Sequence, residues 1–322
     1  MDHKFDDFIS EPLPLINGTT QGDPSSMTYY SFYNVPLIET ASSEDELSMG
    51  FVDDSVMLAI GDMLEQCHEK LKDMMECAGG GFEWSHTHNS PFELSKTVLM
   101  NFPRSYRDPI PGVLSLARPN PDGSVTSSLV HPVSSYKYLG IIFDPKLSWS
   151  LHQTKALTTT AYWSSHIWCL SKAASSISPT GVKQLYNTVV VPRFTYGAEV
   201  WYTYLHKPLG AKKTKGSVAI TNKLCSAQHI VTKTITGGLS TTAGDIFNIH
   251  MLLLPIDLLF CKLLYRAALQ LCSLPPSHPL WPLLRLASRR NLRRHLSPIH
   301  HLLRLINVTP GEIEMGRVLI SY

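Results

Sequence analysis

Phe51-Val52-Asp53-Asp54 decides the reading of this chain. Apolar runs flank it, Met49 to Val52 before and Val56 to Ile60 after. Short runs of that kind on either side of a tight turn predict a β-hairpin with two adjacent carboxylates at its tip. Like charges repel, so such a tip suits a cation held between the carboxylates and a ligand. Hard divalent ions such as Mg²⁺ take oxygen ligands and bind through one or two carboxylates plus substrate phosphates. A second reading stays open, because Asp-Asp also occurs as an ordinary solvated turn.

Further motifs lie on both sides. Upstream is Asn17-Gly18-Thr19-Thr20-Gln21-Gly22-Asp23-Pro24-Ser25-Ser26-Met27, followed by Tyr33-Asn34. Downstream are Ser95-Lys96-Thr97 and Tyr136-Lys137-Tyr138-Leu139-Gly140-Ile141-Ile142-Phe143-Asp144. In this order and spacing they resemble the second half of a reverse transcriptase palm. The wording is most similar to non-LTR (LINE-type) retrotransposon polymerases of fungal type. Pro179-Thr180-Gly181-Val182-Lys183-Gln184-Leu185-Tyr186 and Tyr196-Gly197-Ala198-Glu199-Val200-Trp201 resemble that family's thumb.

The resemblance implies an α+β fold. A partial palm of antiparallel strands with helices (1–145) would be followed by a helical thumb (146–240) and a helical connector with a basic tail (241–322). It implies RNA-directed DNA polymerase chemistry on an RNA template and DNA primer with dNTPs, using Mg²⁺ or Mn²⁺. Asp53 and Asp54 match the metal-binding carboxylates. Gln21, Gly22, Asp23 and Pro24 match the segment beside the incoming nucleotide and template. Lys96 matches a lysine that donates a proton to the leaving pyrophosphate or shapes the nucleotide site; a solvated lysine fits it equally. Tyr138, Leu139 and Gly140 match the primer grip, with packing as the alternative role of the aromatics. The family's first catalytic carboxylate lies upstream of the Gln-Gly motif, and no counterpart is recognised here. Asp6 and Asp7 read as a solvated turn. The expectation is therefore a truncated, inactive reverse transcriptase. A non-catalytic nucleic-acid-binding remnant is the alternative, and a peripheral membrane protein acting through the Arg-rich tail is another.

The net charge of +2 conceals a segregation. Residues 1–100 hold 18 Asp and Glu against 4 Lys and Arg, a net of −14; the remainder hold 8 against 24, a net of +16. A basic C-terminal part is suited to tracking a phosphate backbone with salt-dependent affinity; interleaved solvated surfaces are the plainer explanation. The six cysteines include no Cys-x-x-Cys pair. With no signal peptide recognised, they predict an intracellular protein of nucleus or cytoplasm, not a secreted one. His86-Thr87-His88 lacks partner ligands at metal spacing and reads as loop or strand. Residues 251–274 are the most apolar stretch, but Asp257, Lys262 and Arg266 interrupt it. A buried amphipathic helix is expected there rather than a stable membrane insertion.

Local signals place the elements. A helix is expected over 24–40, with Pro24 at its first position. Asp62 should cap a helix reaching Ala78, with Leu64, Cys67, Leu71, Met74, Met75 and Ala78 on one face. Strands are expected at 94–102 and 136–143, and a hairpin or loop in the Pro- and Ser-rich stretch 103–134. Helices should fill 151–174 (Trp163, Ile167 and Leu170 on one face), 179–201 with a break at Pro192, 217–236 and 256–273. Lys207 to Gly216 reads as an exposed basic linker, and 274–282 as a boundary before Arg285, Arg289, Arg290, Arg293 and Arg294.

Overall fold

The computed structural model describes residues 23–105, 108–119, 124–172, 177–207, 209–239, 241–288 and 300–303, and the backbone of two short strands, β1 (Lys4–Phe5) and β2 (Phe8–Ile9). Gln21, Gly22, Asp6, Asp7 and Arg289 to Arg294 lie outside the described residues. The fold is α+β, with helices and small antiparallel sheets. The chain divides into two units, residues 1–136 and 137–322.

In the first unit, Asp23 opens helix α1 (Pro24–Tyr33) by accepting the backbone N–H of Ser25 at 2.8 Å. Pro24 occupies the first turn, where its missing N–H leaves no bond unmade. The expected helix to residue 40 is interrupted at Asn34, after which a single turn, α2 (Val35–Ile38), resumes. The interruption has a use, since Asn34 reaches the hairpin described below. Strands β3 (Glu46–Phe51) and β4 (Asp54–Ala59) pair antiparallel from Glu46↔Ala59 to Phe51↔Asp54. Buried Ser48 of β3 donates to the Leu37 carbonyl at 3.1 Å, tying the strand to α2.

Helix α3 (Leu64–Glu76) begins after Met63, not after Asp62. No side chain caps it; instead the Asp62 N–H is satisfied by Gln66 Oε1 at 3.2 Å. Met74 and His68 are its buried residues; Leu64, Cys67, Leu71 and Met75 are partly buried, and Ala78 lies beyond the helix and exposed. His68 was missed by the apolar pattern because its ring is satisfied internally, by Asn101 Oδ1 at 2.8 Å. The glycine run separates α3 from α4 (Gly81–Thr87), so His86 and Thr87 are helical and His88 ends that helix, against the expectation of loop or strand. His88 stacks on Trp84 at 4.9 Å.

The expected strand 94–102 is absent. Leu94–Lys96 forms a 3₁₀ turn, and only Leu99 makes a β-bridge, to Pro132. The Glu93–Lys96 ion pair closes that turn locally, and Leu99 turns inward to the core. The stretch 103–134 does contain a hairpin, β5 (Leu114–Pro119) with β6 (Val125–Val130). Leu114, Leu116 and Val130 meet Phe82 and Leu99 in this unit's small core.

The second unit is mostly helical. Tyr136 to Phe143 is not one strand but two, β7 (Tyr136–Tyr138) and β8 (Ile141–Phe143), because Leu139 and Gly140 reverse the chain. Buried Asp144 then accepts the N–H groups of Ser148 and Trp149 at 3.2 and 3.1 Å, shaping the entry to α5 (Ser150–Lys172). Ile167 is buried on α5 and Trp163 packs against the core, but Leu170 is exposed. Ser178 caps α6 (Pro179–Leu185) by accepting the Gly181 N–H at 3.2 Å, as the Ser-Pro signal predicts.

Beyond Leu185 the helix widens into a π segment (Tyr186–Val190) and resumes as α7 (Val191–Thr195). Pro192 has no N–H to offer the preceding turn, and the register shift falls there. Gly197, at φ 63°, turns the chain into α8 (Ala198–Trp201). Three longer elements follow: α9 (Val218–Thr236), α10 (Gly244–Met251) and α11 (Ile256–Cys272), then α12 (Trp281–Ser288). In α11 every fourth residue, Ile256, Phe260, Leu264, Ala268 and Cys272, is buried, the single-face periodicity of a core helix. Among the described residues no single helix is long and apolar enough to cross a membrane. All six cysteines are free thiols.

Candidate functional site

The two carboxylates singled out in the sequence sit at the tip of the β3–β4 hairpin. Phe51 pairs with Asp54, so Val52 and Asp53 form a two-residue loop. Of these two, only Val52 has positive φ, 55°. That is the pattern of a type II′ turn, whose first central position ordinarily carries glycine. A β-branched residue there is strained. The surroundings hold the strain in place: the Asn34 side-chain amide donates to the Val52 carbonyl at 2.6 Å. Asn34 is itself buried, and among the described residues its Oδ1 has no hydrogen-bond partner. The hairpin tip is thus fixed from beneath, with Asp53 and Asp54 both exposed at its outer end.

These donors suit a hard cation in kind, since carboxylate oxygens are what Mg²⁺ takes. In number they supply only part of a site. Among the described residues no group of three His, Cys, Asp or Glu side chains is placed to hold a metal. The remaining ligands of any bound ion would come from substrate phosphates and water.

The other sequence-predicted residues are placed as follows. Asp23 is engaged in starting α1: its Oδ1 takes both the N–H and the hydroxyl of Ser25, at 2.8 and 2.6 Å. These bonds, the hydroxyl's first, hold its carboxyl below the usual range. Pro24 is the first residue of that helix. Lys96 is exposed and paired with Glu93, and this lysine holds the Glu93 carboxyl below its ordinary value. No hydrogen bond or ion pair among the described residues joins Lys96 to Asp53 or Asp54.

Tyr138 ends β7, and Leu139 and Gly140 form the bend of the β7–β8 hairpin. Leu139 and Gly140 have φ of 44° and 86°, and positive φ at both central residues is the requirement of a type I′ turn. The bend is braced by Tyr196, whose hydroxyl donates to the Leu139 carbonyl at 2.7 Å. Lys155 donates to the Gly140 carbonyl at 3.0 Å. His152, buried, accepts the Ile142 N–H through Nδ1 at 3.2 Å. Burial, and then Lys155, push the His152 pKa down. These three supports were not legible as supports of the bend: His152 and Lys155 stand on α5 and Tyr196 on the turn after α7, 10 to 57 positions from the residues they hold.

Comparison with known proteins agrees with the resemblance at low identity. The chain is 24% identical over 202 residues to the probable RNA-directed DNA polymerase from transposon X-element of Drosophila melanogaster, covering 62% of this chain and 20% of that protein. It is 23% identical over 189 residues to the RNA-directed DNA polymerase from mobile element jockey of Drosophila funebris (57% and 19%). The jockey polymerase of Drosophila melanogaster is 23% identical over 202 residues (61% and 20%). No protein-family model matches, and no solved structure matches. The chain spans about a fifth of the length of these curated relatives. Over about three fifths of its own length it is therefore similar, distantly, to RNA-directed DNA polymerases of mobile elements.

Proposed function

We propose that this chain carries the metal-binding hairpin, primer grip and thumb of a retrotransposon reverse transcriptase of the non-LTR type, and that alone it does not complete the polymerase site. The observation that supports this most is the Phe-Val-Asp-Asp turn: exposed Asp53 and Asp54, side by side at a strained two-residue loop latched by Asn34. In that reading Asp53 and Asp54 hold Mg²⁺ or Mn²⁺. The ion, when bound, offsets charge on the phosphate oxygens of a dNTP. Gln21 and Gly22 lie against nucleotide and template, while Asp23 and Pro24 fix the start of the supporting helix. Lys96 acts near the leaving pyrophosphate once released from Glu93. Tyr138, Leu139 and Gly140 steady the end of a DNA primer on an RNA template. Because electrostatic stabilisation and positioning carry phosphoryl-type transfer, two carboxylates without a further acidic partner leave the site incomplete.

Primer extension on an RNA template, with dNTPs and Mg²⁺ or Mn²⁺, tests this beside an Asp53→Ala control. No extension is expected from the chain alone. Asp53→Ala should change folding stability by less than about 0.5 kcal/mol, as for an exposed polar side chain. Extension that Asp53→Ala abolishes would instead show a complete site, with another carboxylate supplying the missing ligand.

A second reading, binding of template and primer without chemistry, draws on the net +16 of residues 101–322. It expects affinity for an RNA–DNA hybrid to fall steeply with salt and to survive Asp53→Ala.

A further inference from the structure

The helical unit contains a half-open cleft of about 510 Å³ behind the β7–β8 bend. Its walls carry Lys137, Lys155 and Arg193, together with His152, Tyr196 and Gly140. Among the described residues no carboxylate lines it, and no ion pair joins Lys137, Lys155 or Arg193 to a carboxylate.

Uncompensated like charges facing one concavity cost free energy unless an anion joins them. Burial, and then Lys137, lower the Lys155 pKa, which is the expected mark of that crowding. The cations are also positioned. Lys155 spends one of its three N–H donors on the Gly140 carbonyl at 3.0 Å, leaving two. Arg193 lies over the Trp163 ring at 4.5 Å, a stacking that leaves the edge of the guanidinium fork available for a phosphate. Thr188 and Val189, from the π segment, form part of the same wall, and such widened turns are frequent at functional sites. His152 is not a donor to the cleft: Nδ1 takes the Ile142 N–H, and its ring is also hydrogen-bonded to the Tyr196 backbone.

We infer that Lys137, Lys155 and Arg193 form a binding site for phosphate groups, carried either by a polynucleotide strand or by free pyrophosphate. The volume is in the range of small-molecule sites and exceeds what one phosphate needs, so it accommodates a diphosphate or a phosphodiester with its sugar. For strand phosphates the inference rests on the template–primer reading and deepens it, since Gly140 of the cleft belongs to the bend proposed to hold the primer; for pyrophosphate it requires only the charge and geometry of this cleft.

The test uses the full chain, with calorimetric titration of pyrophosphate and anisotropy of a labelled single-stranded oligonucleotide. Lys137→Ala and Arg193→Ala should each weaken binding about three- to tenfold. Lys155→Arg should retain it, and Lys212→Ala, in the exposed loop after α8, should change it less than twofold. For the oligonucleotide, Lys137→Ala should also lower the salt slope by about one. Unchanged thermal unfolding of each variant separates loss of binding from loss of fold. Weakening for the oligonucleotide assigns the site to strand phosphates; weakening for pyrophosphate alone assigns it to the free anion and counts against nucleic-acid binding. Oligonucleotide binding that the cleft variants leave unaltered overturns the site while sparing the polymerase reading. Absence of binding to either ligand also overturns the site.

Discussion

The unit that carries the Asp-Asp turn and the unit that carries the basic cleft are built to different standards. In residues 1–136 the buried apolar cluster is small: Phe82, Leu99, Leu114, Leu116 and Val130. Phe51, Leu47, Met49 and Leu58 of the β3–β4 hairpin are exposed. In residues 137–322 the core runs through α5, α7, α9 and α11. It includes Tyr202 stacked on Phe260 at 3.9 Å and Trp201 edge-on to the same ring at 5.6 Å. Burial there is deep enough to push the Tyr202 phenol up to about 12. The paired carboxylates therefore sit on a lightly packed hairpin whose tip is held by buried Asn34, whereas Lys155 and Arg193 stand on a densely packed helical frame. Rigidity follows buried contact area, so the frame favours holding a ligand and the hairpin depends on added contacts to fix it.

The largest effect should come from removing the centre of the frame. Phe260 is fully buried between Trp201, Tyr202 and Phe194. Phe260→Ala should destabilise the helical unit by about 3–5 kcal/mol, through lost burial and the cavity left behind. Leu116→Ala, in the smaller core, should cost about 2–3 kcal/mol. Urea unfolding followed by far-ultraviolet circular dichroism measures both. An equal or larger loss from Leu116→Ala would erase the contrast between the units.

That contrast was partly legible in the sequence. The Ser178-Pro179 start, the α11 face and the Asp-Asp hairpin were readable because each rests on neighbours in the chain: a cap, a four-residue period, an alternating pair of strands. The supports were not. Asn34 meets Val52 only because α1 breaks at residue 34, and His68 is buried only because Asn101 lies opposite. The supposed strand at 94–102 failed for the converse reason. Its local ion pair closed a turn that apolar patterning does not register. Likewise Lys137, Lys155 and Arg193 are far apart in the chain until the β7–β8 bend and the helices α5 and α7 bring them to one cleft.

An intermediate effect is expected at the bend that borders the cleft. Gly140 has φ 86°, and a Cβ there would come within 2.8 Å of the Tyr196 ring. Gly140→Ala must therefore both adopt a left-handed conformation and displace Tyr196 from its bond to the Leu139 carbonyl. The cost should be about 1–3 kcal/mol. The same substitution at Gly112, whose φ is not positive and which has open space around it, should cost less than about 0.5 kcal/mol. Comparable losses at the two glycines would show that the bend is not braced as described.

The smallest effect should be confined to mildly acidic solution, and it sharpens the contrast by acting on the frame alone. His152 is buried, its Nδ1 accepts the Ile142 N–H, and burial followed by the Lys155 charge depresses its pKa below 6.5. Below pH 6.5 the unfolded chain takes up a proton at this ring that the folded chain resists, so stability falls as the pH drops. The contribution is fully present above the unfolded pKa and is lost as the pH falls through the folded one. Protonation at Nδ1 would also set two N–H groups against each other, leaving Ile142 without its acceptor. His152→Gln supplies an uncharged acceptor and should flatten the dependence of the unfolding midpoint between about pH 7 and pH 5, even if it lowers stability at neutral pH. A slope unchanged in that variant would mean that other groups carry the acid sensitivity and that the bend does not depend on a neutral imidazole.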